Sequence, residues 1–374
     1  MKRRLGCLLF GLIMLGCISS ACAEEDVYAL LDENGAVLSH IQGSCETGDE
    51  YISGDNQHYR IAEVNEVQKQ AFTERIGEAD MPDVSWLDMQ KSMPVAALGE
   101  KVFALYCTHS DESYIKGDGT ESVEGKGGIY DIAHALGRQF EKLGVTVEIS
   151  EETHLPHDAG AYRRSRQTAV ALLKNQPDAI FDIHRDGIPD PDEYATSVGN
   201  QEMSKVRLLV GKSNQNKDAN LSFAKQIKAV GDKIYPGLIK DIYMGKGTYN
   251  QDLAPRSVLL EFGTHTLQKD LVLKSVQPMS EVIYKAMFGG ITGSAGSSDV
   301  SSRSTSVPSA QKEKPSSEDN TGAGWIVWLI LALVGDLLLF AYLSGGTKEG
   351  GQKFGRSISE MTGGLFGKKP KKDQ

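Results

Sequence analysis

Cysteine is scarce in the body of this chain. Of its five cysteines, Cys7, Cys17 and Cys22 fall within the first 23 residues, which leaves only Cys45 and Cys107. Two thiols in different predicted domains make no disulfide framework, and both are expected to be free. Positive charge is also in deficit, with a net charge of −10 over 374 residues. That argues against a nucleic-acid binder, which needs a basic face for phosphates. No Gly-x-Ser-x-Gly elbow is present, so a serine hydrolase of that type is disfavoured. Nor is there an internal repeat.

What is present begins with two distinctive ends. Met1-Lys2-Arg3-Arg4, an apolar stretch from Leu8 to Ile18 and the small-x-small site Ala21-Cys22-Ala23 predict a signal peptide over residues 1–23. A lipoprotein reading at Cys17 or Cys22 lacks a well-formed leucine-led box. Near the other end, residues 324–343 are almost wholly apolar, Asp336 excepted, with Trp325, Trp328 and Tyr342 near the edges. That length suits one transmembrane helix. The tail at 344–374 carries Lys348, Lys353, Arg356, Lys368, Lys369, Lys371 and Lys372, which suits the cytoplasmic side. The expected location is therefore the cell membrane, single-pass, with the body outside the cytoplasm.

Between these ends the patterning changes twice. Residues 24–95 predict a small β-rich domain, with strands at Val27–Leu31, Val37–Ile41 and Tyr59–Val64, an Asn34-Gly35 hairpin turn and a helix near Glu66–Arg75. Residues 96–290 alternate buried strands with amphipathic helices. The strands are Val102–Thr108, Val145–Ile149, Ala179–Ile183, Arg207–Val210, Leu238–Tyr243 and Val258–Phe262; the helices are Ile129–Leu143, Tyr162–Lys174, Asp218–Ile234 and Lys269–Met287. This predicts an α/β fold with a largely parallel sheet and flanking helices. Residues 291–323, rich in Ser, Gly and Pro, predict a disordered tether.

Sites in open α/β sheets form beyond the carboxyl ends of strands. His109 follows the first strand of the α/β region, His184 the third, and Glu261 ends the very apolar Ser257-Val258-Leu259-Leu260 run. Two histidines and a carboxylate are the minimal set for a catalytic zinc, although the same donors also hold iron. Such a metal lowers the pKa of bound water to about 7. A carboxylate outside the donor set then takes the proton from water and passes it to a leaving nitrogen. We assign His109 and His184 to the metal and Glu261 to the acid/base role. For the third ligand Glu124 is preferred, at the start of the helix after the first strand, with Glu112 and Glu121 as competitors. His40, His58, His134, His154 and His157 are read as surface or hydrogen-bonding residues.

Four segments stand out together: Thr108-His109-Ser110-Asp111-Glu112-Ser113-Tyr114, Tyr162-Arg163-Arg164-Ser165-Arg166, Asp182-Ile183-His184-Arg185-Asp186, and Gly247 to Pro255 followed by Leu260-Glu261-Phe262-Gly263. In order and spacing they resemble the stage II sporulation protein P family. It implies a zinc-dependent N-acetylmuramoyl-L-alanine amidase fold acting on peptidoglycan, with endopeptidase action also known in the family. It further implies septal wall thinning during engulfment, beside the lytic transglycosylase called stage II sporulation protein D. Position by position it implies His109, Glu124 and His184 as ligands and Glu261 as the catalytic glutamate. Two departures stand out: Cys107 occupies a position where the family commonly has histidine, and the anchor lies at the C-terminus instead of the N-terminus.

Arg163, Arg166 and Arg185 are candidates for binding stem-peptide carboxylates, since guanidinium forks suit them, with ordinary salt bridges as the competing reading. Tyr249 and Asn250 are candidates to line the substrate groove or to support the metal site. A non-catalytic wall-binding or activator protein is the alternative function, and a glycan-cleaving enzyme with paired carboxylates leaves the strand-end histidines unexplained.

Overall fold

The computed structural model of the protein describes residues 26–89 and 100–289. The expected signal peptide, tether, apolar segment and basic tail lie outside these residues. Among the described residues no helix is long and apolar enough to cross a membrane.

Five strands open the chain: β1 (Val27–Leu31), β2 (Val37–Gln42), β3 (Glu50–Ile52), β4 (Gln57–Asn65) and β5 (Gln70–Glu78). Gly35, at φ +80°, makes the Asn-Gly turn between β1 and β2. The helix expected near Glu66–Arg75 is instead a turn followed by β5. Asn65 Oδ1 accepts hydrogen bonds from the Val67 and Gln68 amides at 3.1 and 3.0 Å, and Lys69 takes φ +52°. An asparagine closing a turn on its own backbone outweighs the weak helical pattern of the residues after it.

A short helix α1 (Trp86–Met89) precedes the α/β region. That region runs β6 (Val102–Tyr106), the single turn α2 (Ile115–Asp118), α3 (Ile129–Lys142), β7 (Thr146–Ile149), α4 (Ala161–Leu173) and β8 (Ala179–Asp186). A small hairpin follows, β9 (Ala195–Val198) with β10 (Gln201–Ser204), then β11 (Val206–Gly211), α5 (Lys217–Ile234), β12 (Ile239–Gly245), β13 (Ser257–Thr264) and α6 (Lys269–Phe288). The eight residues of β8 are all buried, as expected of a strand covered on both faces. On α3 the buried Ile129, Ile132, Ala133, Leu136 and Phe140 recur at helical spacing. Phe140 meets Phe103 of β6 edge-on at 4.9 Å, and truncating such a ring costs about 3–5 kcal/mol.

The sheet has 11 strands in the order β2-β1-β5-β4-β3-β12-β11-β13-β8-β6-β7. It is mixed where a largely parallel one was expected. β7, β6, β8 and β13 are parallel, but β11 runs antiparallel to β13 and parallel to β12. The N-terminal strands do not form a separate domain, because β3 pairs antiparallel with β12 and continues the same sheet. They roll over it. Tyr28, Leu30, Ile41, Tyr51 and Ile61 form one apolar cluster with Tyr243 of β12, and Leu209 of β11 packs against it. Ser39 of β2 reaches Arg207 of β11 at 2.7 Å and Lys240 of β12 at 2.5 Å, although four strands separate β2 from β12 in the sheet. Cys45 and Cys107 are buried and unbridged, as expected.

Candidate metal centre

The turn after β6 is pinned to β8 before it delivers any chemistry. The Thr108 amide donates to Asp182 Oδ1 at 2.8 Å and its hydroxyl to Asp182 Oδ2 at 2.6 Å. His109 then projects beyond the carboxyl end of β6, and His184 lies near the end of the neighbouring β8. Glu112 joins them: its Oε1 is 3.2 Å from His109 Nδ1 and 3.3 Å from His184 Nδ1, while its Oε2 accepts the Arg185 amide at 2.9 Å. His184 Nε2 is buried and 3.0 Å from Asp182 Oδ1 but makes no hydrogen bond among the described residues. His157 stacks on His109 with ring centres 4.0 Å apart, and its Nδ1 is 3.1 Å from Asp111 Oδ1. Donor atoms of His109, Glu112 and His157 lie within 4.8 Å of one another. The sequence offered His157 only as a surface or hydrogen-bonding residue, not as a member of this cluster. Only the folded path of the chain before α4 brings it here.

Glu261, on β13, faces the same space, in register with His184 on one side and Arg207 on the other. Its Oε2 is buried and has no hydrogen-bond partner among the described residues. Burial holds the Glu261 carboxyl well above the usual carboxylate range; His184 and Arg207 oppose that shift, while Asp186 and Glu112 add to it. Burial acts on Glu112 in the same direction, but the His184 and His109 imidazoles outweigh it and hold Glu112 well below the usual range. For His184 burial disfavours the charge, yet Asp182 and Glu112 keep its pKa well above that of a free imidazole. In His109 burial wins and the pKa falls. The cavity these groups share has a volume of about 220 Å³. Its far walls are Tyr162 and Tyr249 on one side and Ile41 to Ser44 of the N-terminal roll on the other.

Glu124 is not in this cluster. It is exposed, on the segment leading to α3, and the carboxylate between the two imidazoles is Glu112. The local path explains why. The Glu112 amide donates back to His109 O at 3.2 Å, which turns the chain so that position 112 returns toward the strand end. Residues 112 and 122 then bridge antiparallel, and α3 starts against the Glu112 carbonyl, with Ile129 N donating at 3.0 Å. Glu124 is thereby left outside the excursion. Glu121 is also exposed; its carbonyl accepts from Arg185.

A family model described as Stage II sporulation protein P matches residues 30–284. The chain belongs to that family. The match begins inside β1 and ends inside α6, so the N-terminal roll and the α/β region fall within one family unit. The Stage II sporulation protein P of Bacillus subtilis (strain 168) is 29% identical over 194 residues, 46% of this chain and 48% of the relative. The match thus spans about half the length of that curated relative. Among solved structures, the N-acetylmuramyl-L-alanine amidase Ami1 of Mycobacterium abscessus is similar at 15% identity over 51% of this chain and 99% of that one, with a TM-score of 0.35. The N-acetylmuramoyl-L-alanine amidase AmiC2 of Nostoc punctiforme is similar at 12% identity over 51% and 97%, with a TM-score of 0.33. Scores this low carry no weight on the chemistry.

The remaining candidates of this stage II sporulation protein P chain divide cleanly. Tyr249 lines the cavity, edge-on to Tyr162 at 5.3 Å, and takes φ +48°. Asn250 supports from behind, its Nδ2 donating to Tyr162 O at 3.1 Å and to Ser165 Oγ at 3.0 Å. Arg166 forms a two-pronged ion pair with Asp252 at 2.8 and 2.6 Å, so its fork is occupied. Arg185 sits at the cavity wall, but its guanidinium braces the loop carbonyls of Ser113 and Glu121 at 3.3 and 3.1 Å. Arg163 is exposed on α4 and is absent from the cavity lining.

Proposed function

We propose that this chain is a metal-dependent peptidoglycan hydrolase, an N-acetylmuramoyl-L-alanine amidase that cuts the amide between muramic acid and the stem peptide. The observation that carries the reading is the unpartnered, buried Glu261 Oε2 facing a His/Glu/His cluster in a chain of this family. Native proteins rarely leave such atoms orphaned without a functional reason. The donor set fits zinc, and His109, Glu112 and His184 would hold it. A bound zinc supplies Lewis-acid polarisation of the carbonyl and a more acidic water.

The protein groups do the rest. Glu261 Oε2 accepts the proton from the attacking water and returns it to the departing nitrogen. Its elevated proton affinity in this buried setting suits that shuttle. Tyr162 and Tyr249 close one side of the cavity and limit competing water. The reading extends, on composition, to a body outside the cytoplasm tethered by the apolar segment at 324–343. It extends, on family membership, to septal wall thinning in sporulation beside a stage II sporulation protein D-like transglycosylase.

The test is to digest purified sacculi with metal-replete and chelated protein and to identify the new ends by mass spectrometry. New L-alanine amino termini that appear only with metal are expected. Binding to sacculi without cleavage would favour the wall-binding alternative. Metal content of His184→Ala, Glu112→Ala and Glu124→Ala should fall for the first two and hold for the third.

A further inference from the structure

The N-terminal roll does more than flank the cavity. Gln42, the last residue of β2, lines it together with Ile41, Gly43 and Ser44. β2 is an edge strand, and its register with β1 fixes which backbone groups point outward. Gly43 N donates to Asp26 O at 2.8 Å, so the flanking pair Val27–Gln42 is of the kind whose members do not bond each other. The N–H and C=O of Gln42 therefore face away from β1, as do those of His40. Along this edge the His40 N–H is already taken, donating to Glu193 Oε2 at 3.3 Å. Neither the outward backbone groups of Gln42 nor its side-chain amide has a hydrogen-bond partner among the described residues. The edge is stoppered at His40 and open at Gln42, beside the metal donors.

The Gln42 side chain is also placed by a glycine. A Cβ at Gly187, just past the end of β8, would fall 1.8 Å from Gln42 Oε1. Only glycine at 187 lets that amide lie where it does, next to Arg185 and Asp186 on the cavity wall.

We propose that Gln42 is the residue that holds the peptide side of the substrate, which rests on the amidase reading above. Its outward N–H and C=O pair with the first peptide unit after the scissile amide, as a strand edge pairs an added chain. Its side-chain amide supplies a further donor and acceptor. One residue is all the edge can offer, since His40 is closed off by Glu193. One is also all the ligand can use, because a γ-linked glutamate after the first alanine breaks strand geometry. The roll is on this account a specificity element, with Ser39, Arg207 and Lys240 fixing β2 in position as the anchor behind Gln42.

The experiment measures binding and so does not depend on turnover. The synthetic tripeptide L-Ala-γ-D-Glu-L-Lys is titrated calorimetrically into metal-loaded full-length protein and three variants, with thermal midpoint and metal content recorded for each. Gln42→Ala should weaken binding about 3- to 10-fold, the range for one neutral hydrogen bond. Gln42→Pro, tolerated at an outward-facing edge position, removes the N–H as well and should weaken it further. Gly187→Ala leaves Gln42 in the chain but displaces its amide, and should reproduce the Gln42→Ala loss with metal retained. Equal affinity in wild type, Gln42→Ala and Gln42→Pro, or no binding by the wild type, overturns the proposal. Sacculi left uncut by a protein that still binds the tripeptide through Gln42 would sink the amidase reading alone.

Discussion

Two clusters of buried polar groups lie side by side on adjacent strands, and they are finished to different degrees. Around Arg207 every nitrogen is used: Nε and Nη2 on Asp241 at 2.7 and 3.0 Å, Nη1 on Asp186 at 2.8 Å, and Nη2 also on Ser39. Lys240 adds Glu193 at 3.0 Å and Asp241 at 3.1 Å, and Glu193 in turn holds His40. Across the β11–β13 pairing, opposite Arg207, stands Glu261, whose Oε2 has no hydrogen-bond partner among the described residues, and beyond it His184, whose Nε2 likewise has none. Burial is similar in the two clusters; satisfaction is not. A completed network rigidifies and fixes register, whereas an incomplete one of the same depth marks a place meant for a proton, an ion or a substrate.

The comparison is sharpest where the two clusters are mutated in parallel. Glu261→Gln should cost roughly 10²–10⁴-fold in turnover, the range for a general base, with folding stability nearly unchanged and metal retained. Steady-state rates on muropeptides and metal analysis check this, and full activity would end the acid/base assignment. Arg207→Met should do the converse. It leaves Asp241 and Asp186 buried without their partner, and about 3–5 kcal/mol of stability should be lost in urea unfolding. If stability held while turnover collapsed, the two clusters would be one functional unit and the contrast would dissolve.

The smallest effect concerns Glu193 at the rim of the satisfied cluster. Burial raises its proton affinity, but hydrogen bonds with His40 and Lys240 reverse this and hold the carboxyl far below the usual range. A depressed folded-state pKa contributes stability that is present above the unfolded value of about 4.3 and is lost as pH falls through the folded value. On acidification from pH 5 toward pH 2 the wild type should therefore lose on the order of 1 kcal/mol more than Glu193→Gln. Parallel unfolding curves for the two proteins over that range would show that the rim contributes nothing.

The strand ends were legible in the sequence because buried strands of four to eight apolar residues have few alternatives, and polar residues just past them stand out. That is how His109, His184 and Glu261 came forward. Glu124 misled for a reason periodicity cannot reach: whether a loop folds back at its third residue or its fifteenth depends on bonds such as Glu112 N to His109 O. β5 misled because its short polar pattern fits helix and strand alike, and the turn at Asn65 decided it. The N-terminal roll was read as a separate domain because β3 and β12 are far apart in sequence, and pairing at that distance leaves no local trace. His157 and Gln42 were invisible for the same reason.

The seam between β3 and β12 has a practical consequence for anyone who would shorten this protein. Ile242, Tyr243 and Met244 pair with Ile52, Tyr51 and Glu50, and all three are buried. A fragment starting at the α/β region would turn an interior strand into a bare margin, with unpaired amides and a row of apolar side chains. Bare margins of that kind recruit neighbouring chains. Such a fragment would be insoluble before it was inactive, and the failure would say nothing about catalysis.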